Sequence, residues 1–261
     1  MSMKVIILAG GLGSRLGALS ELKPKPMIEI GGKPIIWHIM KLYSHFGFRE
    51  FVICLGHMGQ AIKDYFLNFN QNNSDFTVDL RSGELHFENC PYENWKVTLA
   101  DTGLNTLKGG RIKRIEKYLD SEVNLLTYGD GVGDINIQAL VDYHGSHGRI
   151  ITVTGVKPPS MFGEIIEKEG RVVSFEEKPQ TSKGLISGGF MVFNKKLFDY
   201  LTPDRECDFE FGPLEKLARE GQVMTFKHEG FWECADTVRD VEHLNKLWAA
   251  GKAAWKVWES C

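Results

Sequence analysis

Apolar residues fall along this chain in blocks whose spacing switches between strand and helix periods. Val5-Ile6-Ile7-Leu8-Ala9 is a short apolar run rich in β-branched residues that breaks into Gly10-Gly11-Leu12-Gly13. That is the pattern of a buried strand delivering a loop to the carboxyl edge of a sheet. Met27 to Ile30 is a brief extended piece and Gly31-Gly32 a turn. Ile36, Ile39, Met40, Tyr43 and Phe46 then recur at helical spacing, with Pro34 at the first helical position and Gly47 as the closing C′ residue. Phe51 to Leu55 is a second strand, Ala61 to Phe69 a second helix, and Val97 to Ala100 a third strand. Leu125 to Tyr128, a helix from Ile137 to His147 and a strand from Ile150 to Thr154 continue the alternation. This order predicts an α/β fold with a Rossmann-like, mostly parallel sheet flanked by helices.

Two stretches depart from it. Asn70 to Trp95 opens on a polar run and reads as a β-hairpin around Ser82-Gly83, an insertion expected to serve as a flap or subunit contact. From Pro158 a second hairpin, Phe162 to Ile166 and Val172 to Phe175, forms a small antiparallel lobe. A strand over 184–194 and two short helices between Leu197 and Arg219 follow, and Thr237 is a natural N-cap for the last helix. With no repeat or linker, residues 1–261 are read as one domain. Residues 1–157, with the insertion at about 70–95, form its first part, and residues 158–261, with the antiparallel lobe and C-terminal helices, its second.

Composition narrows the class. A formal net charge of -3 and the absence of a basic run give no reason to expect a nucleic acid, and no apolar stretch predicts a membrane span. Five scattered cysteines with no C-x-x-C spacing suggest neither disulfides nor zinc, so a reducing cytoplasm is expected. Phosphate binding must therefore be local.

The opening loop supplies it. Its glycines let backbone N–H groups approach an anion. Arg15 and the proline-flanked Lys25 add fixed positive charge, which suits a triphosphate about to lose pyrophosphate better than a dinucleotide. The Walker A spacing does not occur, and Leu16 stands where the dinucleotide fingerprint needs glycine or alanine. Asp130, between Gly129 and Gly131 at a strand end, is placed to hold Mg²⁺ against phosphates. Asp134 and Asn136 compete as cap of the next helix. Gly109-Gly110-Arg111 is a second glycine pair opening a cationic helix, read either as backbone for a ligand or as a plain helix start. His38 and His45 read as core-edge or surface residues, and Trp248, Trp255 and Trp258 as packing or interface residues.

Leu8 to Leu16 followed by Lys25-Pro26 resembles the signature of the sugar-phosphate nucleotidylyltransferases. Lys23 to Lys41 (KPKPMIEIGGKPIIWHIMK) and the run from His228 to Trp258 are similar, more narrowly, to its glucose-1-phosphate cytidylyltransferase branch. The resemblance implies the nucleotide-diphospho-sugar transferase fold, CTP and a sugar 1-phosphate as substrates, Mg²⁺ as cofactor, and a homo-oligomer, trimeric or hexameric. It assigns Leu8, Gly10, Gly11, Gly13, Ser14, Arg15, Lys25, Thr106, Gly110, Arg111 and Gly129 to the nucleotide. Glu177 and Lys178 of the Glu-Lys-Pro run, with Gly188 and Gly189, fall to the sugar phosphate, and Asp236 joins Asp130 on the metal. Arg15, Lys25 and Asp130 are the implied catalytic set. Ser187, Gly212 and Cys234-Ala235 depart from the branch's pattern on the sugar side, and Ser14 departs mildly in the opening loop. The competing readings are a nucleotidylyltransferase with another sugar 1-phosphate or another nucleoside triphosphate, a nucleotide-sugar-dependent glycosyltransferase, which would want an Asp-x-Asp site, and a non-catalytic nucleotide sensor.

Overall fold

The computed structural model describes residues 2–11, 23–88, 93–157, 164–168, 170–176 and 184–259. The chain opens with β1 (Val5–Leu8) and a small ladder of β2 (Glu29–Ile30) on β3 (Lys33–Pro34). Then come α1 (Ile35–His45), β4 (Glu50–Leu55), α2 (Gly59–Leu67) and α3 (Phe69–Asn73). The insertion is the hairpin of β5 (Asp75–Val78) and β6 (Leu85–Glu88). Next are β7 (Lys96–Asp101), α4 (Lys108–Arg114), β8 (Val123–Tyr128), β9 (Gly131–Gly133), α5 (Ile137–His147) and β10 (Ile151–Val156). The lobe of β11 (Glu164–Lys168) and β12 (Arg171–Glu176) precedes β13 (Ile186–Asn194) and α6 (Glu215–Arg219). The chain then runs through β14 (Val223–His228), β15 (Trp232–Cys234) and α7 (Val238–Ala249).

Seven strands form the central sheet in the order β14-β10-β13-β8-β1-β4-β7. All pairings are parallel except those of β13, which runs antiparallel to both neighbours. The sheet is covered on both faces, which is why its inner strands are unbroken apolar runs. Val5 and Ile7 join one core cluster with α1, while Ile6 and Leu8 join the other with Ile112 and Ile115.

Several details differ from expectation. Pro34 precedes the helix in extended backbone (φ -65°, ψ 150°), because it is held in the β2–β3 ladder. Gly47 does close α1, at φ 89°. The second helix begins two residues before Ala61, and most of the polar run after it is itself the short helix α3. Asn136 caps α5 by accepting from Ala139 N, while Asp134 faces His228 at 3.0 Å. In place of two short helices the 195–219 segment has a 3-10 stretch over 195–200, a kink at Phe211-Gly212 and α6. Trp255 and Trp258 are buried within their own chain, so these two rings are not a surface for a partner. They enclose His38 with Trp37 and Trp248, and burial pushes that imidazole down to about 4.

Candidate active site

β1 has β4 on one side and β8 on the other, so chain order reverses at β1, where open α/β sheets form their ligand crevice. Leu8 pairs with Tyr128, and Gly129 N donates to Leu8 O at 3.1 Å. A cleft of about 620 Å³ opens there, with Leu8, Gly10, Gly11, Lys25, Thr106, Arg111, Gly129, Asp130 and Asp236 among its lining residues. Sequence reading named all nine.

Three of them meet on one ion-pair cluster. Lys25 begins a single 3-10 turn between Pro24 and buried Pro26, whose fixed φ values hold the segment against the sheet. A side chain at Gly129 would come within 3.0 Å of Pro26 Cγ, so glycine there lets this turn approach the end of β8. Lys25 Nζ donates to Asp130 Oδ2 at 2.7 Å and to Asp236 Oδ1. The backbone fixes the two carboxylates relative to each other: β15 pairs antiparallel with β9, Cys234 lies opposite Gly131, and Ala235 N donates to Asp130 O at 3.0 Å. Immediately after Asp236, Thr237 and Asp240 form a reciprocal capping box that starts α7. Burial by itself lowers the pKa of the Lys25 ammonium, but Asp130 and Asp236 outweigh it and the net shift is upward. The Cys234 thiol donates to Asp236 Oδ2 at 3.3 Å, and burial together with the two carboxylates pushes it up to about 12. It stays protonated.

Arg111 is buried, and its guanidinium is directed at the protein. Nη1 donates to Leu55 O, Thr102 Oγ1 and Gly103 O, and Nη2 to Gly10 O and Leu104 O. It therefore ties the loop after β1 to the end of β4 and the loop after β7. Gly10 leaves room for it, since a Cβ there would lie 2.4 Å from Nη1. Burial lowers its pKa.

A second polar group in the cleft was not read from sequence. Glu210 Oε1 accepts from Tyr128 Oη at 2.5 Å and from Lys108 Nζ, which also sits over the Tyr128 ring. Burial and the Glu210 carboxylate keep the Tyr128 phenol protonated. Tyr128 could have been found, because it ends the apolar strand run that leads into Asp130. Glu210 comes from the kinked 210–214 segment, which has no periodic signal.

The sequence profile of the family described as "Nucleotidyl transferase" matches residues 4–254. The chain belongs to this family. A Salmonella typhimurium protein named "Glucose-1-phosphate cytidylyltransferase" is 47% identical over 98% of this chain and 100% of its own length. A Bacillus subtilis protein named "Probable glucose-1-phosphate cytidylyltransferase" is 43% identical over 98% and 100%. Among solved structures, the inositol-1-phosphate CTP transferase from T. maritima superposes with a TM-score of 0.65 at 17% identity, covering 100% of this chain and 99% of that one. That likeness shows the fold.

In a nucleotidyl transferase the Lys25, Asp130 and Asp236 cluster is the candidate for the chemical centre. Its two carboxylates offer hard oxygen donors from separate chain segments to one cation, which fits a divalent ion that also takes phosphate oxygens. Among the described residues no group of three or more His, Cys, Asp or Glu side chains that could hold a metal is present. Gly13, Ser14, Arg15, Glu177 and Lys178 lie outside the described residues. Gly110, Gly188 and Gly189 are close to the cleft, but the protein fills the space that a side chain would take. A Cβ on Gly110 would sit 2.3 Å from Asp204 O, and one on Gly189 would meet the Tyr128 ring at 2.6 Å.

Proposed function

We propose that this nucleotidyl transferase joins CTP to α-D-glucose 1-phosphate, releasing pyrophosphate and forming CDP-glucose. The observation that carries the chemistry is the meeting of Lys25, Asp130 and Asp236 where the glycine loop leaves β1. The choice of base and sugar rests on the 47% identity to the Salmonella protein of that name.

The attacking phosphate oxygen is already ionised at neutral pH, so no general base is needed. The sugar phosphate attacks the α-phosphorus in line, its oxygen forming a new P–O bond as the bond to the β-phosphate breaks and pyrophosphate leaves. Catalysis is then alignment and charge neutralisation. Asp130 and Asp236 would hold Mg²⁺, which would supply positive charge to the phosphates. Lys25 and Arg15 stabilise the triphosphate and the leaving pyrophosphate, and Gly10 and Gly11 offer backbone to it. Arg111 keeps Gly10 in place from behind, and Thr106 and Gly110 border the base side. Lys178 orients the incoming phosphate, Glu177 accepts from sugar hydroxyls, and Gly188 and Gly189 offer backbone to the sugar phosphate. Glu210, Tyr128 and Lys108 form a polar wall that a ribose or hexose hydroxyl can meet.

The protein is expected to work in the cytoplasm as a homo-oligomer. The hairpin of β5 and β6 is the favoured contact, because Phe76, Val78, Leu80 and Leu85 are exposed on it. Pyrophosphate release measured with Mg²⁺ across CTP, UTP, dTTP, ATP and GTP, each with several sugar 1-phosphates, tests the reading. Release with CTP and glucose 1-phosphate alone is expected. Release with CTP and a different sugar would reassign the substrate and point to Ser187, Gly212 and Cys234-Ala235. No release with any pair would overturn the function.

A further inference from the structure

The position that the proposed function gives to a divalent ion is held by a side chain. Lys25 Nζ lies between the carboxylates, 2.7 Å from Asp130 Oδ2 and bonded to Asp236 Oδ1. The lysine side chain is 13% exposed, whereas those of Asp130 and Asp236 are 33% and 28% exposed, so the pair is more open to solvent than the cation between them. The Lys25 backbone is held by flanking prolines and its 3-10 turn, but the charge sits on a four-carbon stem that can turn without moving that backbone. Lys25, Gly10 and Gly11 line the same cleft.

We propose that Lys25 is the resident cation of the carboxylate pair and that a divalent ion takes its place. An ammonium and a doubly charged ion repel each other strongly at contact distance and cannot share one gap. An arriving ion therefore expels Nζ, and the freed ammonium turns into the cleft lined by Gly10 and Gly11, where it meets phosphate. Without the ion, Lys25 keeps two adjacent carboxylates from repelling each other and holds them in position. With it, a positive charge is delivered to the triphosphate only once the ion is in place. The inference rests on Asp130 and Asp236 being the metal pair, and the experiment separates the two claims.

Two readouts that require no turnover test it. The first is Mn²⁺ binding to the substrate-free protein, followed by the electron paramagnetic resonance of the free ion, in the parent, Lys25→Met and Asp130→Asn. If the pair is clear of lysine in roughly a tenth of molecules, Lys25→Met binds Mn²⁺ about tenfold more tightly than the parent. Asp130→Asn binds it at least several-fold more weakly. Lys25→Met binding no more tightly than the parent, while Asp130→Asn is weakened, overturns the exchange and leaves the metal pair standing. Asp130→Asn binding as the parent does overturns both.

The second readout uses the parent protein alone, so it decides the matter if Lys25→Met does not fold. Acetylation of Lys25 by acetic anhydride is read by mass spectrometry with and without Mg²⁺ at matched ionic strength. The exchange predicts a several-fold rise in Lys25 labelling with Mg²⁺, while Lys23 labelling stays constant. Equal or lower labelling of Lys25 with the ion contradicts it.

Discussion

Replacing Arg111 with lysine separates a residue that organises the cleft from one that binds the nucleotide directly. The guanidinium serves five acceptors, four of them backbone carbonyls at the end of β4 and in the loops after β1 and β7. A lysine ammonium has three donors and lacks the planar fork, so at least two of the five acceptors lose the donor that Arg111 gives them. A buried acceptor left unpaired costs about 1–3 kcal/mol, so two cost about 2–6 kcal/mol. Gly10 O also accepts from His57 N, Leu55 O accepts from Thr102 N and Oγ1, and Leu104 is exposed enough for water to reach it, which places the expected loss near the lower part of that range, about 3 kcal/mol. For a chain of this size that lowers the melting temperature by about 6–12 °C. The assay is urea unfolding of Arg111→Lys beside isothermal titration with CTP. The expected result is a lower urea midpoint together with weaker CTP binding, because the loop after β1 has lost its tie to the end of β4 and the loop after β7. An unchanged midpoint with CTP binding lost would show that Arg111 acts on the nucleotide and that the clamp is not its main role.

Three further outcomes follow from the same geometry. Gly110→Ala puts a Cβ 2.3 Å from Asp204 O, so thermal unfolding should show a loss of about 1–3 kcal/mol even without nucleotide; unchanged stability with weaker CTP binding would contradict this. Thr237→Ala removes the capping box beside Asp236 and should cost about 1 kcal/mol in urea unfolding; a wild-type midpoint would count against the cap. Burial holds His38 at about 4 against the ordinary 6.5, so between those values the unfolded chain takes up a proton that the folded chain refuses. Stability from this residue is complete above pH 6.5 and declines as pH falls toward 4, by about 3 kcal/mol in all. His38→Gln should flatten that part of the urea midpoint's pH profile, and an equally steep profile in the variant would show that other groups cause it.

Most of the sheet was legible because each signal was local, but its edge strand β14 was not read from the sequence. β1 reads as a strand from five apolar residues, and α5 runs over 137–147 as expected because Asn136 caps it and Gly148 ends it at φ 64°. The convergence of Asp130 and Asp236 was read through resemblance, since more than a hundred residues separate them and only the β9–β15 ladder brings them together. Other features depended on packing that no local pattern carries. Arg111 stands in a cationic stretch, Lys108 to Arg114, that looks like an exposed face, and only the tertiary fold turns its guanidinium onto carbonyls. Glu210 sits next to a kink where Gly212 adopts φ 100°, a conformation without helix or strand period. At Gly110 and Gly189, which the sequence assigned to the nucleotide and the sugar phosphate, the groups that press closest are Asp204 and Tyr128 of the chain itself.

The central claim is that Lys25 and Asp130 act on the triphosphate in this cleft. The most direct test is pyrophosphate release from CTP and glucose 1-phosphate by the parent, Lys25→Ala and Asp130→Asn, with folding of each variant checked by circular dichroism. The account predicts a loss of turnover of about 10²-fold or more in each variant. Turnover within a few-fold of the parent in both would contradict it.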